Sequence, residues 1–259
     1  MLNVATPSAA PLAFVRDAAH AAPRSVPPAD CTHCHMRELC LPAGLNGVTL
    51  EQLDGMKFAR RRVKAGEALY HAGEKFGFIY AVRSGTFKTV ITLRDGREQV
   101  TGFHLAGDVM GLDGLAHGKH ATMAIPLEDA EICAIPYHQL ADLAAQHPSL
   151  HGAIARLMSR ELVREHEVML LLASMNAEER LAAFLLNVST RMRNRGYSAT
   201  EFHLRMSRAE IGSYLGMKLE TVSRTFSAFQ QQGLLKVDKK HVRILDLAAL
   251  AQRCEMRMQ

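Results

Sequence analysis

The chain has 259 residues, of which 48% are hydrophobic and 22% charged, with a formal charge of +5 and a pI near 9.0. This length can bury a substantial core and accommodates one or two domains. No apolar run reaches the roughly eighteen residues of a membrane-spanning helix, the longest candidate being EVMLLLASM, so no membrane partner is expected.

The positive charge is unevenly placed. Residues 176–259 carry 14 Lys plus Arg against 8 Asp plus Glu, a net of +6, which leaves −1 for residues 1–175. A polyanionic partner would therefore meet the C-terminal third.

Residues 1–30 are rich in Ala and Pro, and Pro11 and Asp17 interrupt every apolar stretch, which reads as a disordered tail and not as a secretion signal. A cytoplasmic, reducing location is the expectation. The next segment, CTHCHMRELC, holds three of the five cysteines: Cys31, Cys34 and Cys40. In a reducing compartment such a cluster points to metal binding or thiol reactivity ahead of structural disulfides. Zinc, an iron–sulfur cluster and a thiol switch all stay open on spacing alone. His33 and His35 are close enough to join a zinc site, and read more simply as solvated side chains.

TLEQLDGM predicts a short helix opened by Thr49. Residues 66–118 then contain ten glycines between short alternating apolar runs such as FIYAVRSGTFKTVITL, and Asp95-Gly96 marks a tight hairpin. Together these predict a small antiparallel barrel or sandwich continuing to about Pro136.

From Pro148 to about Met175 only Gly152 interrupts a long helical pattern. His151, Ala155, Met158, Leu162, Glu165, Met169 and Leu172 recur by four and three, the seam of a two-stranded coiled coil, with packing onto the chain's own barrel as the competing arrangement. Glu165 is the charged position in that seam. Two-fold symmetry would bring it toward its own copy, where burial and like charge oppose ionisation, so Glu165 reads as a brake on pairing.

A second helix, NAEERLAAFLLNVSTRMRNR, leads into RAEIGSYLGMKLETVSRTFSAF. Here Ile211, Leu215, Met217 and Val222 bury one face of each of two short helices, Gly216 turns the chain between them, and small Gly212 lets them cross closely. This is a helix-turn-helix pattern, and GLLKVDKKHVRILDL adds two strands around Lys239 and Lys240 as a wing. Glu220, Ser223 and Arg224 share the exposed face of the second helix, and their chemistry suits base edges: arginine for guanine, glutamate for the cytosine amino group, serine for either. A surface ion pair between Glu220 and Arg224 is the plainer alternative. An enzyme is not expected, because His71, His104, His117, His120 and His138 are scattered without ligand spacing and no nucleophile motif or P-loop is present.

The stretches CTHCHMRELC, AVRSGTFK, GREQVTGFHLAGDVMGLD, EICAIP, LMSRE, LLLASMNAEERLAAFLLN and IGSYLGMKLETVSR, in this order, resemble the CRP/FNR superfamily of bacterial transcription regulators and, within it, the FNR group of anaerobic regulators. The resemblance covers roughly residues 30–250. It implies an α+β chain with an N-terminal antiparallel β-roll or jelly-roll sensor domain with its cluster-binding segment (31–147), a long dimerisation helix (148–175) and a C-terminal winged helix-turn-helix DNA-binding domain (176–259). It further implies that Cys31, Cys34, Cys40 and the distant Cys133 hold an oxygen-labile 4Fe-4S cluster, with zinc or a thiol redox switch as the alternative. The homodimer would form through Met158, Leu162, Glu165, Met169 and Leu172 when the cluster is present. It would read a palindromic double-stranded site close to TTGAT-N4-ATCAA through Glu220, Ser223 and Arg224. Oxygen would convert the cluster to a two-iron form and part the dimer. RSGTFK (Arg83, Ser84, Gly85, Thr86, Phe87, Lys88) matches a loop that touches RNA polymerase in the family. Cyclic-nucleotide pockets of the superfamily typically carry a glutamate for the ribose and an Arg-Ser or Arg-Thr pair for the phosphate. The corresponding GDVMGLDGLAHGKHATMAI has no arginine, so no cyclic nucleotide is expected.

Overall fold

The computed structural model describes residues 29–56 and 58–255, so the expected tail lies outside it apart from Ala29 and Asp30. Helix α1 (Gly47–Gly55) is opened by Asn46, whose side chain accepts the Thr49 N–H at 2.9 Å. Thr49, the opening residue expected from sequence, is instead buried against Ser149, their hydroxyls 3.1 Å apart. An Asn side chain accepts from a first-turn N–H as readily as Thr and competes for the same cap.

Seven strands follow: β1 (Ala59–Val63), β2 (Phe78–Ser84), β3 (Thr86–Thr92), β4 (Glu98–Leu105), β5 (Val109–Met110), β6 (Met123–Pro126) and β7 (Ala130–Pro136). They make two antiparallel sheets, ordered β1-β7-β2-β5 and β4-β3-β6. The Asp95-Gly96 hairpin forms as expected, with Gly96 at φ 83° and the Leu93 N–H bonded to the Arg97 carbonyl at 2.8 Å. Alternation along β2 and β7 decides which residues meet which core. Tyr80, Val82, Ile132 and Ala134 face the barrel interior with Tyr70 and Phe87. Ile79, Ala81, Cys133 and Ile135 face the other way, onto Leu41, Leu53, Phe58 and the helices that follow.

Helix α2 (Tyr137–Gln146), which the sequence pattern did not distinguish, runs into α3 (Pro148–Ser174), and His147 breaks them apart in an extended conformation (φ −128°, ψ 97°). The proline that follows disfavours the helical region at His147. Helix α3 has two apolar faces. Leu150, Ala153, Ile154, Leu157 and Leu171 are buried in the chain's own core.

Helix α4 (Ala177–Asn194) starts at an Asn176–Glu179 capping box. Then come β8 (Glu201–His203), α5 (Arg208–Leu215), α6 (Leu219–Gln231), β9 (Leu235–Asp238), β10 (His241–Ile244) and α7 (Leu247–Glu255). The wing has three strands, ordered β8-β10-β9, one more than the two read from sequence. This unit packs directly on the barrel. Val90, Val100 and Phe103 share a core with Leu181, Phe184, Ile211, Leu215 and Phe226. The Val100 N–H donates to Ser213 Oγ at 2.9 Å, the Gln99 side-chain amide donates to the Ser213 carbonyl, and Lys88 pairs with Glu210 at 2.9 Å.

Candidate cysteine site and nucleic-acid interface

The cysteine segment is a succession of turns tied down by Asp54 at the end of α1, whose carboxylate accepts the N–H groups of Cys31 and Thr32. The Cys34 N–H bonds the Cys31 carbonyl at 3.3 Å, and the Cys40 N–H bonds the Met36 carbonyl at 3.0 Å. Cys133 comes to meet this segment from β7, where it stands in register with Ala81 on one side and Arg60 on the other. All four cysteines line one small cavity of about 30 Å³, walled by Phe58, Leu41 and Ile135. His33 and His35 are exposed, His33 being paired with Asp30 at 2.9 Å. Cys254 is elsewhere, with its thiol 3.8 Å from the Glu179 carbonyl.

Burial, reinforced by the neighbouring thiols, pushes Cys40 up to about 12. Burial likewise pushes Cys133 up to about 11, although Arg83 draws it back, and Cys31 is raised for the same reason with Asp54 adding to it. Arg83 reaches the sulfurs, with Nη1 3.8 Å from Cys34 Sγ and Nε 3.1 Å from Glu131. Among the described residues no group of three or more His, Cys, Asp or Glu is gathered tightly enough to hold a metal ion.

At the other end of the chain, Ser207 and Glu210 form a capping box on α5, and Gly216 at φ 61° ends it. A side chain at Gly212 would stand 2.6 Å from the Met217 carbonyl, so the close helix crossing does require glycine there. Val222, Phe226 and Phe229 anchor α6, leaving Glu220 and Arg224 exposed with Ser223 half-buried beside them. Among the ion pairs of the described residues, none joins Glu220 to Arg224. Arg208 lies over the Phe226 ring at 3.4 Å, and burial draws its guanidinium down to about 10. Lys239 tips the wing at φ 53°, whereas the Lys240 ammonium is tied to the Arg205 carbonyl at 2.7 Å.

His151, Ala155, Met158, Leu162, Glu165, Met169 and Leu172 are all exposed along the outer face of α3. RSGTFK differs from the exposed loop expected: it is the end of β2, a turn at Gly85 and the start of β3. Phe87 is fully buried, Thr86 is buried and bonded to Glu128 at 3.1 Å, and Arg83 and Lys88 are engaged in internal ion pairs. Strand alternation turns Phe87 inward, and Ser84 is the exposed member of the six.

Two family models match: a cyclic nucleotide-binding domain over residues 60–147 and a Crp-like helix-turn-helix domain over residues 179–253. The transcriptional activator protein anr of Pseudomonas aeruginosa is 45% identical over 231 residues, covering 88% of this chain and 95% of that protein. The fumarate and nitrate reduction regulatory protein of Escherichia coli is 43% identical over 222 residues, covering 86% of this chain and 89% of that one. The chain belongs to the FNR group of CRP/FNR transcription regulators. Among solved structures, FixK2 from Bradyrhizobium japonicum aligns with a TM-score of 0.70 at 30% identity, covering 75% of this FNR-type chain and 96% of the FixK2 chain. The Bordetella pertussis transcriptional regulatory protein btr is 44% identical over 230 residues, covering 89% of this chain and 95% of that one. This FNR-type regulator thus carries its DNA-binding helix-turn-helix on α5 and α6. Two features of its sites have no counterpart in the sequence pattern: the Asp54 clasp on the cysteine segment and the turn of Arg83 toward sulfur. Neither has a local signature, because each partner lies about twenty or more residues away.

Proposed function

We propose that this regulator senses oxygen through a four-iron, four-sulfur cluster on Cys31, Cys34, Cys40 and Cys133, and binds a palindromic DNA site as a dimer while the cluster is intact. The observation that carries the reading is the meeting of all four thiols at one apolar cavity, three from a clasped segment and one from a barrel strand. Buried thiols whose ionisation is opposed by burial and by each other become thiolates only when a cationic group compensates them, and Arg83 supplies part of that compensation. The same raised thiols are poor nucleophiles, which disfavours a bare thiol switch. A zinc ion would need all four sulfurs about 2.3 Å from a single point, whereas the four irons of a cluster spread their thiolate ligands over separate corners. When bound, the cluster would supply an oxygen-labile crosslink between the segment and β7.

The exposed Met158, Leu162, Met169 and Leu172 fit the dimer seam, and Glu220, Ser223 and Arg224 fit the base-reading set. Two-fold pairing along α3 would place two copies of α6 about one DNA turn apart, as a palindrome requires. The polymerase contact narrows to the turn at Ser84 and Gly85. Cyclic-nucleotide binding is disfavoured by Asp113, whose carboxylate already accepts the N–H groups of Ala121 and Thr122 at 2.8 and 2.9 Å and the Thr122 hydroxyl at 3.0 Å.

Anaerobic purification with iron, sulfide and zinc analysis, followed by air exposure, tests the reading. Cys133→Ala should lose the iron while Cys254→Ala keeps it. Zinc in place of iron, or iron retained by Cys133→Ala and lost from Cys254→Ala, refutes it.

A further inference from the structure

One buried carboxylate ties three parts of the chain together. Asp108 follows β4 on a turn that also bonds to β2, through the Gly107 N–H to the Val82 carbonyl at 2.8 Å and the Val82 N–H to the Asp108 carbonyl at 2.9 Å. Its side chain is 11% exposed. It accepts from the Leu105 N–H at 2.8 Å, from Arg195 Nη2 at 2.8 Å and from Arg191 Nη2, and Arg164 Nη2 stands 3.9 Å away. Arg191 belongs to the last turn of α4, Arg195 caps the C-terminal end of that helix, and Arg164 belongs to α3. The two α4 arginines also grip the turn's backbone, Arg191 donating to the Phe103 carbonyl at 2.8 Å and Arg195 to the Ala106 carbonyl at 2.6 Å. Burial works to neutralise Asp108, but the three guanidiniums outweigh it and hold the carboxyl well below its usual range.

The other side of the same turn faces the cysteine segment. Gly107 has φ 92°, and a side chain there would stand 2.9 Å from Leu39 Cβ, with Met36 Sδ next to it at 3.7 Å. Leu39 and Met36 lie between Cys34 and Cys40. The turn Leu105–Asp108 is therefore pressed by the cysteine segment on one face and clamped by α4 on the other.

We infer that Asp108 is the positioning residue through which the cysteine segment sets the orientation of the DNA-binding unit, an inference that rests on the sensing role proposed for that segment. Withdrawal of Leu39 and Met36 frees Gly107 and lets the turn shift. Asp108 then parts from Arg191 and Arg195 and leaves clustered, partly buried guanidiniums without their anion, a state strongly unfavourable in place. Helix α4 relieves it by swinging its end, and α5 and α6, which share a core with α4, move with it. The signal thus takes two discrete arrangements of one charge cluster.

The test uses the full chain with Asp108→Asn, Arg195→Gln and the double variant, purified without oxygen. Three readouts are taken: iron content, affinity for a duplex carrying TTGAT-N4-ATCAA, and amide exchange over residues 103–109 and 188–196. Each single variant should keep its iron, lose DNA affinity about fivefold to a hundredfold and exchange faster in both segments. The double variant should do no worse than the poorer single, as expected of partners in one interaction. Wild-type affinity and exchange in Asp108→Asn, or losses that add in the double variant, overturn the inference. If Asp108→Asn does not fold, Arg195→Gln alone decides by the same measures. A wild-type protein without iron would refute the sensing role instead, and the exchange comparison would still stand or fall by itself.

Discussion

Leu162→Ala tests the pairing face most directly, because Leu162 lies on the outer side of α3 with 62% of its surface exposed. Complete burial of a leucine is worth about 1.5–3 kcal/mol, so covering the exposed part contributes about 1–2 kcal/mol in each copy. Two-fold symmetry doubles this, and truncation to Ala removes most of it, so the dimer dissociation constant should rise by about 30-fold to 1,000-fold. Alanine is as good a helix former as leucine, so α3 itself should persist. Sedimentation equilibrium of the anaerobic protein over a range of concentrations measures the shift, and thermal melting of the air-exposed monomer serves as control. A dimer as tight as wild type would place the seam elsewhere. A monomer that melts several degrees lower would show that Leu162 packs within its own chain.

Glu165→Ala should dimerise and bind the palindrome in air, without iron, if an ionised Glu165 opposes pairing; a monomer under conditions where the anaerobic wild type is dimeric would refute the brake. Arg224→Ala should lose about 1–3 kcal/mol of specific binding together with its preference at one base pair, while Lys239→Ala weakens all sequences alike and flattens the salt dependence. Titration against base-substituted duplexes distinguishes the two, and uniform losses for Arg224→Ala would make it a phosphate contact. Gly212→Ala should destabilise the DNA-binding unit by about 1–3 kcal/mol despite better helix propensity, because the new methyl meets the Met217 carbonyl at 2.6 Å. Urea unfolding followed by circular dichroism checks this, and an unchanged or raised midpoint would contradict it.

Features set by near neighbours along the chain are legible in the amino-acid sequence. Asp95-Gly96 announces its hairpin, Gly212 and Gly216 the helix crossing, and the four-three spacing of α3 its outward stripe. The inward face of α3 is not legible, because a helix with apolar residues on two sides does not say which side is its own core. The same limit hides the surroundings of RSGTFK, where a glycine turn looks exposed although strand alternation turns Phe87 into the barrel and Thr86 is buried against Glu128. Cys133 stands alone in EICAIP, and only the family resemblance assigns it to the other three cysteines. Asp108 lies 83 and 87 residues from its two α4 partners, a separation at which no periodicity speaks.

Strand β4 lies at the edge of its three-stranded sheet, and that edge is covered by α5. Ser213 Oγ takes the Val100 N–H and the Ser213 carbonyl receives the Gln99 side-chain amide, so the helix-turn-helix unit sits as a lid on this strand edge. An uncovered strand edge is a template for pairing with other chains. Any event that swings the DNA-binding unit away therefore has a second effect besides losing the operator: it bares a self-adhesive strand. The contact between α5 and β4 thus shields the barrel from other chains as well as positioning the DNA-binding unit.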